Sequence, residues 1–280
     1  MSTQELLQHP ASSSATYAAQ VAASTGKWWH DRYPEWSGVY AQIVRDRNTA
    51  AEQLTSGGQR LLDLGCGYGD LLYLLRNRYE EKHGVDPAPV MIEKTLDNLQ
   101  RHGQSEGFFV RQGVAELLPY EPNLFDTVTM LDVFEHVEPE HRLTALSEVR
   151  RVLKPGGELI LATPSRYILR FWNVVDNILS LPLRLLRGEP LRIWRFVNKE
   201  FIEEFSSRRE LSQAVQQAKF ELNHFERVSF YPAPETMGFL APWLHHSYHI
   251  PFAHRVIAAV FRVGSRCRFL NQKMLIRCTK

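Results

Sequence analysis

Leu61-Leu62-Asp63-Leu64-Gly65-Cys66-Gly67-Tyr68-Gly69-Asp70 reads as a buried strand that breaks sharply into a helix. An apolar run ends in three glycines at alternate positions, and a helical pattern, Leu71 to Arg78, follows at once. Glycines belong there because the backbone must take conformations that a Cβ forbids, and because a ligand must lie directly on the main chain. The spacing is Gly-x-Gly-x-Gly, which departs from the Gly-x-Gly-x-x-Gly of dinucleotide enzymes. Asp63, just before the turn, departs from that fingerprint too.

Strand and helix signals alternate outward from the turn. Strands are expected at Arg60–Leu64, His83–Val85, Phe108–Arg111, Thr127–Leu131 and Glu158–Ala162, with helices at Leu71–Arg78, Met91–Arg101 and His141–Val152. This order argues for a parallel sheet with helices on both faces. A helix from about Gly38 to Leu54 precedes it and stops at Ser56-Gly57-Gly58. Lys154-Pro155-Gly156-Gly157 reads as a tight turn before the fifth strand. Beyond Thr163-Pro164 the pattern changes. Tyr167–Arg187 reads as an apolar helical insertion, Ser207–Lys219 as a helix and Glu221–Phe230 as a strand. A basic helix around Arg255–Phe261 and a last strand near Lys273–Cys278 complete the chain.

Two acids, the turn and the helix start define a ligand. Asp86, in Gly84-Val85-Asp86-Pro87, follows Gly65 by about 20 residues, the interval at which an acid accepts hydrogen bonds from ribose hydroxyls. The helix start at Asp70–Leu71 offers N–H groups and a positive dipole end to a carboxylate or phosphate. Asp63 suits an ammonium group, or else only braces the turn. A ligand with a ribose, an amine and a carboxylate fits this set better than a pyrophosphate.

These motifs together resemble class I S-adenosylmethionine-dependent methyltransferases, of the branch that includes the ubiquinone and menaquinone biosynthesis enzymes. The resemblance runs from about Arg60 to Pro164 and weakens beyond. It rests on Leu61–Asp70, on Gly84–Pro87, on Phe125-Asp126-Thr127-Val128-Thr129-Met130-Leu131 and on Arg151-Val152-Leu153-Lys154-Pro155-Gly156-Gly157. It implies a Rossmann-like α/β fold with a seven-stranded, mostly parallel sheet, an N-terminal helical lid and a helical insertion after strand five. It implies S-adenosylmethionine as methyl donor, with S-adenosylhomocysteine as product. By this resemblance Gly65, Cys66 and Gly67 line the methionine and ribose portion, and Asp63 and Gly69 belong to the same cofactor site. Asp86 holds the ribose, Pro87, Ala115 and Glu116 meet the adenine, and Leu131, Asp132 and Val133 flank the sulfonium. Val114 departs from the Asp or Asn common before that Ala, so the adenine amino group must be met by Glu116 or a backbone carbonyl.

Asp132, Glu135 and His136 fall at i, i+3 and i+4, and on a helical turn they would share one face. Some relatives with Glu-x-x-Glu-His here bind a divalent metal, while many with Glu-His use none; no metal is expected. His136 is the first candidate general base, should the acceptor be a hydroxyl, and His30 the second. His245, His246, His249 and His254 read as surface or substrate-pocket histidines, since Pro242 and Pro251 interrupt any single helix. Trp28–Tyr33 reads as a lid over the cofactor or as packing on the sheet edge.

Composition bounds the rest. The 280 residues carry a net charge of +2 and 44 % hydrophobic residues, as a globular protein does. Three scattered cysteines make neither a disulfide framework nor a metal cluster, which points to a reducing cytoplasm. No signal-peptide core and no spanning segment stands out. Four parts are expected: 1–55, a helical lid; 56–165, the cofactor-binding core; 166–200, a substrate cover; and 201–280, the last strands with a basic apolar insertion. No acid follows Glu235, and with the apolar insertion this favours a hydrophobic small-molecule acceptor. O-methylation is favoured over C- or N-methylation, with peripheral membrane contact as a further option and a monomer or homodimer as the assembly. The alternatives are an RNA methyltransferase using the basic C-terminal region, and a non-catalytic cofactor-binding partner subunit. Against RNA, strand four ends in Leu131-Asp132-Val133-Phe134 and lacks the Asn/Asp-Pro-Pro-aromatic signature of enzymes acting on base amino groups. A nicotinamide oxidoreductase is disfavoured by the glycine spacing.

Overall fold

The computed structural model describes residues 39–104, 106–187, 205–229 and 271–280. Seven strands form one sheet: β1 (Gly58–Leu64), β2 (Tyr79–Asp86), β3 (Phe108–Gln112), β4 (Phe125–Leu131), β5 (Leu153–Pro164), β6 (Glu221–Val228) and β7 (Lys273–Thr279). Their order is β3-β2-β1-β4-β5-β7-β6. Strands β1 to β5 pair in parallel, and β7 runs antiparallel between β5 and β6. The helices are α1 (Val39–Leu54), α2 (Asp70–Leu74), α3 (Pro89–Arg101), α4 (Arg142–Val152), α5 (Arg166–Arg187) and α6 (Arg208–Gln217).

Both faces of the sheet are covered, which is why its central strands read as continuous apolar runs. Leu62, Leu64, Val128, Met130, Leu159 and Leu161 pack with Leu146 and Val149 of α4 and Leu211 and Val215 of α6. The intervening positions, Leu61, Leu131, Ile160 and Ala162, face the other way and pack with Ala51 of α1 and Leu71 and Leu72 of α2. Strand order reverses between β1 and β4, so a crevice opens at the C-terminal ends of these strands. That is where the glycine turn lies.

Three expectations are corrected. Helix α2 has only five residues, Asp70–Leu74, and does not extend to Arg78. The chain must turn through Leu75–Arg78 to enter β2, and Arg78 instead donates to the Glu52 and Thr55 carbonyls at the end of α1, at 2.7 and 2.6 Å. Lys154–Gly157 does not separate helix from strand: β5 begins at Leu153 and carries these residues as a bulge. Phe125 pairs with Leu153 and Thr127 with Glu158, so the extra residues loop out between two paired flanks. Gly156 there has φ +75°, and Lys154 reaches the Asp126 carboxylate at 2.7 Å. Strand β6 ends at Val228, where Ser229 takes φ +64°. The helix ending near Lys219 starts from a capping box between Ser207 and Glu210, as its sequence allows.

The Trp28–Tyr33 segment with His30, the basic helix at 255–261 and the histidines at 245, 246, 249 and 254 lie outside the described residues.

Candidate active site

The three glycines of the turn all have positive φ: +76° at Gly65, +52° at Gly67 and +75° at Gly69. They serve different ends. A Cβ on Gly65 would stand 2.3 Å from Val133 Cγ2, and one on Gly69 would stand 2.7 Å from Thr95 Cγ2. A Cβ on Gly67 would meet nothing within 4 Å. Two glycines therefore admit close packing, and the middle one borders open space.

The turn is pinned from below. Gly65 and Cys66 both donate to the Val85 carbonyl, at 2.7 and 3.1 Å, and Gly69 donates to the Cys66 carbonyl at 2.8 Å. Thr95 on α3 donates to the Gly67 carbonyl at 2.5 Å, and Asn98 to the Tyr68 carbonyl at 2.9 Å. Cys66 turns its side chain under the turn, where a Cβ on Gly84 would come within 3.0 Å of its sulfur. Burial pushes that thiol well above its ordinary pKa, so it is inert as a nucleophile. Only the backbone of Cys66 lies along the turn.

Asp86, at the tip of β2, is buried and accepts from the backbone N–H of Gly67 at 3.1 Å and of Ala88 at 2.9 Å. Burial raises it to about 6 against these hydrogen bonds. Gly113 returns to the Asp86 carbonyl at 3.2 Å, which brings the loop after β3 alongside. In that loop Val114 and Ala115 are buried and Glu116 is half-buried. Gln112 donates to the Pro87 carbonyl at 2.9 Å.

Asp63 is buried, accepts from Thr129 Oγ1 at 2.8 Å and is raised by burial to about 7. Leu131 is buried in the core beneath. Asp132 follows with φ +58°, a left-handed conformation uncommon outside glycine, asparagine and aspartate. Its Oδ2 accepts from Arg47 of α1 at 2.7 Å and from Lys273 at the start of β7. Its side chain keeps 23 % of its surface exposed, although Oδ1 is shut off from solvent without a partner among the described residues. The two cations outweigh desolvation and hold its carboxyl below the ordinary value.

Arg47 and Lys273 are the residues that sequence reasoning missed. They lie 85 and 141 positions from Asp132, and no local pattern links them.

The shared helical face of Asp132, Glu135 and His136 does not form. The helical turn is a 3₁₀ segment confined to Phe134–His136, and the left-handed Asp132 stands outside it. Glu135 is buried, accepts from Thr163 Oγ1 at 3.0 Å and is raised to about 7 by burial, then by Asp132. His136 is half-buried beside it. Among the described residues, no group of three His, Cys, Asp or Glu could hold a metal ion.

These carboxyls give the protein opposing pH responses. Asp63, Asp86 and Glu135 have raised folded-state values, so the folded chain binds more protons than the unfolded chain from about pH 4 to about 7. Their contribution to stability falls as pH rises through that window. Asp132 is depressed, so its contribution is present above the ordinary aspartate value and is lost as pH falls.

A family model described as a methyltransferase domain matches residues 62–161, from β1 to β5. The ubiquinone biosynthesis O-methyltransferase of Pseudomonas entomophila (strain L48) is 33 % identical over 172 residues, covering 59 % of this chain and 71 % of that protein. The chain belongs to the class I S-adenosylmethionine-dependent methyltransferases. A relative of the same printed name from Xylella fastidiosa (strain 9a5c) is 29 % identical over 160 residues, covering 56 % of the methyltransferase and 62 % of the relative.

Solved structures show the same fold. The [4+2]-cyclase SpnF aligns with a TM-score of 0.56 at 20 % identity, over 83 % of this methyltransferase and 80 % of the cyclase. A geranyl diphosphate methyltransferase in complex with GPP and sinefungin aligns at 0.52 and 18 % identity, over 82 % and 76 %. A fold shared with a protein titled a cyclase does not by itself fix a reaction; the sequence relatives do that here. The cofactor of this methyltransferase is S-adenosylmethionine. The open side of Gly67 and the buried acid at the tip of β2 suit that ligand.

Proposed function

We propose that this methyltransferase O-methylates a hydrophobic, hydroxylated small molecule. The observation that carries the reading is the helix after β5. Large apolar side chains, Tyr167, Phe171, Val174 and Ile178 among them, stay exposed on it, and it leaves the sheet at the end where the glycine turn lies. The printed names of the sequence relatives favour oxygen as the methylated atom. We assign 1–55 as a lid, 56–165 as the cofactor core, 166–200 as an acceptor cover and 201–280 as the closing strands with a basic apolar insertion.

The chain's residues take these roles. Asp86 holds the ribose hydroxyls, Asp63 meets the ammonium, and Gly67 with the Cys66 backbone passes under the methionine and ribose portion. Pro87, Ala115 and Glu116 border the adenine, Val114 offering it no hydrogen bond. Asp132 and Val133 flank the reacting end. The cofactor supplies an electrophilic methyl group on a sulfonium. The protein then has mainly to align the acceptor and keep water out, and alignment alone is worth roughly 7–11 kcal/mol. His136 is the proposed base for the acceptor's proton, a contribution of about 10²–10⁴-fold.

Incubation of a cell extract with the enzyme and methyl-labelled cofactor tests this. Label is expected in the organic-solvent fraction, in compounds bearing a new methyl ether. Label confined to RNA or to polar metabolites would overturn the proposal.

A further inference from the structure

Buried polar atoms without a hydrogen-bond partner are rare in folded proteins, and each calls for a reason. Seven side-chain atoms of this kind occur among the described residues. Four of them, on Asp132, Ser165, Asn271 and Gln272, fall at one place: the end of the sheet where β4 and β5 finish and β7 begins. This is the crevice end, beside the residues assigned to the reacting methyl group.

Ser165 and Gln272 stand out because both atoms are donors and both residues are almost wholly buried, at 1 % and 3 % exposure. Pro164 of β5 pairs with Lys273 of β7. The next residues outward, Ser165 and Gln272, therefore oppose each other, and the Ser165 backbone N–H donates to the Gln272 carbonyl at 2.7 Å. Opposed residues of an antiparallel pair project to the same face, with Cβ atoms about 4.5–5.5 Å apart. Yet Ser165 Oγ and Gln272 Nε2 bond neither each other nor any other group among the described residues. The backbone does not need them. A serine just before a helix ordinarily accepts from an amide of the first turn, but Ser165 Oγ, at the root of α5, accepts from none described. The Arg166 backbone N–H goes to the Ser206 carbonyl at 3.1 Å, and that of Gln272 to the Ser229 carbonyl at 2.9 Å.

We propose that Ser165 Oγ and Gln272 Nε2 form a two-donor subsite for a carbonyl oxygen of the methyl acceptor. A carbonyl oxygen has two lone pairs and can take both donors at once. A carboxylate fits less well, because the cations next in the chain, Arg166 and Lys273, are already paired with Glu210 and Asp132. The subsite lies on the face that carries the proposed base. Thr163, two residues back along β5 and hence about 7 Å away, points to the same face and donates to Glu135 at 3.0 Å, the neighbour of His136. The inference rests on the proposed small-molecule acceptor and narrows it: beside the hydroxyl to be methylated, the molecule bears a carbonyl group.

Infrared difference spectra of carbonyl-labelled acetophenone, added to the protein with S-adenosylhomocysteine, read the subsite without turnover. Bound to wild type, the ketone is expected to absorb below its frequency in hexane, as a hydrogen-bonded carbonyl does. In the double variant Ser165→Ala/Gln272→Met the band should return to the hexane value and the ketone should bind roughly tenfold more weakly. Ser165→Thr keeps the hydroxyl and should keep the shift. The double variant gives up no hydrogen bond within the described protein, so its unfolding midpoint should not fall and its S-adenosylhomocysteine affinity should match wild type. No bound ketone, an unshifted band in wild type, or the same shifted band in the double variant would overturn the proposal. So would tighter binding of benzoate than of acetophenone. A shifted band that the double variant loses, with extract label confined to polar metabolites, would overturn the hydrophobic-acceptor reading and leave the carbonyl subsite standing.

Discussion

Gly65→Ala is expected to cost the protein about 2–5 kcal/mol of folding stability, a large fraction of the roughly 5–15 kcal/mol that native domains have. Two effects add. Alanine at φ +76° meets the left-handed penalty of roughly 1–2 kcal/mol. Its Cβ would also stand 2.3 Å from Val133 Cγ2, and overpacking of that kind costs about 1–3 kcal/mol. Gly67→Ala shares only the first effect, because a Cβ there meets nothing within 4 Å. Its stability loss should be about 1–2 kcal/mol, while its Cβ intrudes on the space assigned to the cofactor. The two variants should thus rank oppositely: Gly65→Ala worse in denaturant titration, Gly67→Ala worse in S-adenosylhomocysteine affinity relative to its stability. Adding Val133→Ala should return the packing part of the Gly65→Ala loss and leave the backbone part. Equal stability losses at 65 and 67 would contradict this division of roles.

Asp86→Ala should nearly abolish cofactor binding. Hydrogen bonds to a charged group contribute roughly 1.5–3 kcal/mol each. Losing two from ribose hydroxyls is therefore worth about 3–6 kcal/mol, or roughly 10²–10⁴-fold in Kd. The substitution also frees the Gly67 and Ala88 amides that Asp86 now holds, which loosens the turn. Folding should be less affected, because burial already raises this carboxyl to about 6 and the native state gives up less than a paired carboxylate would. Calorimetric titration with S-adenosylhomocysteine measures the effect. Unchanged affinity in Asp86→Ala would show that the ribose is not held there.

Much of the sheet was legible because its chemistry is local. Apolar runs ended by glycine mark β1, and Gly84-Val85-Asp86-Pro87 marks the end of β2, since strand, turn and acid are contiguous in the chain. The length of α2 was not legible. Leu71–Arg78 has helical spacing, yet Arg78 is claimed by the carbonyls of Glu52 and Thr55 on a distant element. The bulge at 154–157 was hidden similarly, because its flanks are aligned by β4 rather than by their own residues. At the candidate site, Asp63, the glycines and Asp86 came from spacing. Arg47, Lys273, Thr95 and Asn98 did not: each acts across tens of residues or more, and an arginine on an amphipathic helix carries no mark of a buried partner. The same cause undid the helical face of Asp132, Glu135 and His136. Periodicity assumes helical φ, and Asp132 is held at +58° with Arg47 and Lys273 on its carboxylate.

The central claim is that the turn at 65–69 and its flanking acids seat an adenosyl ligand bearing an ammonium group. Titration of S-adenosylhomocysteine into the wild-type protein near pH 6.5, in buffers of different ionisation enthalpy, tests it most directly. Asp63 and Asp86, raised to about 7 and about 6 without ligand, should ionise on meeting the ammonium and the ribose hydroxyls. The account predicts saturation at one site with proton release, and affinity that tightens as pH rises through 6 to 7. Absence of binding, binding without proton release, or preferential binding of a nicotinamide dinucleotide would contradict it.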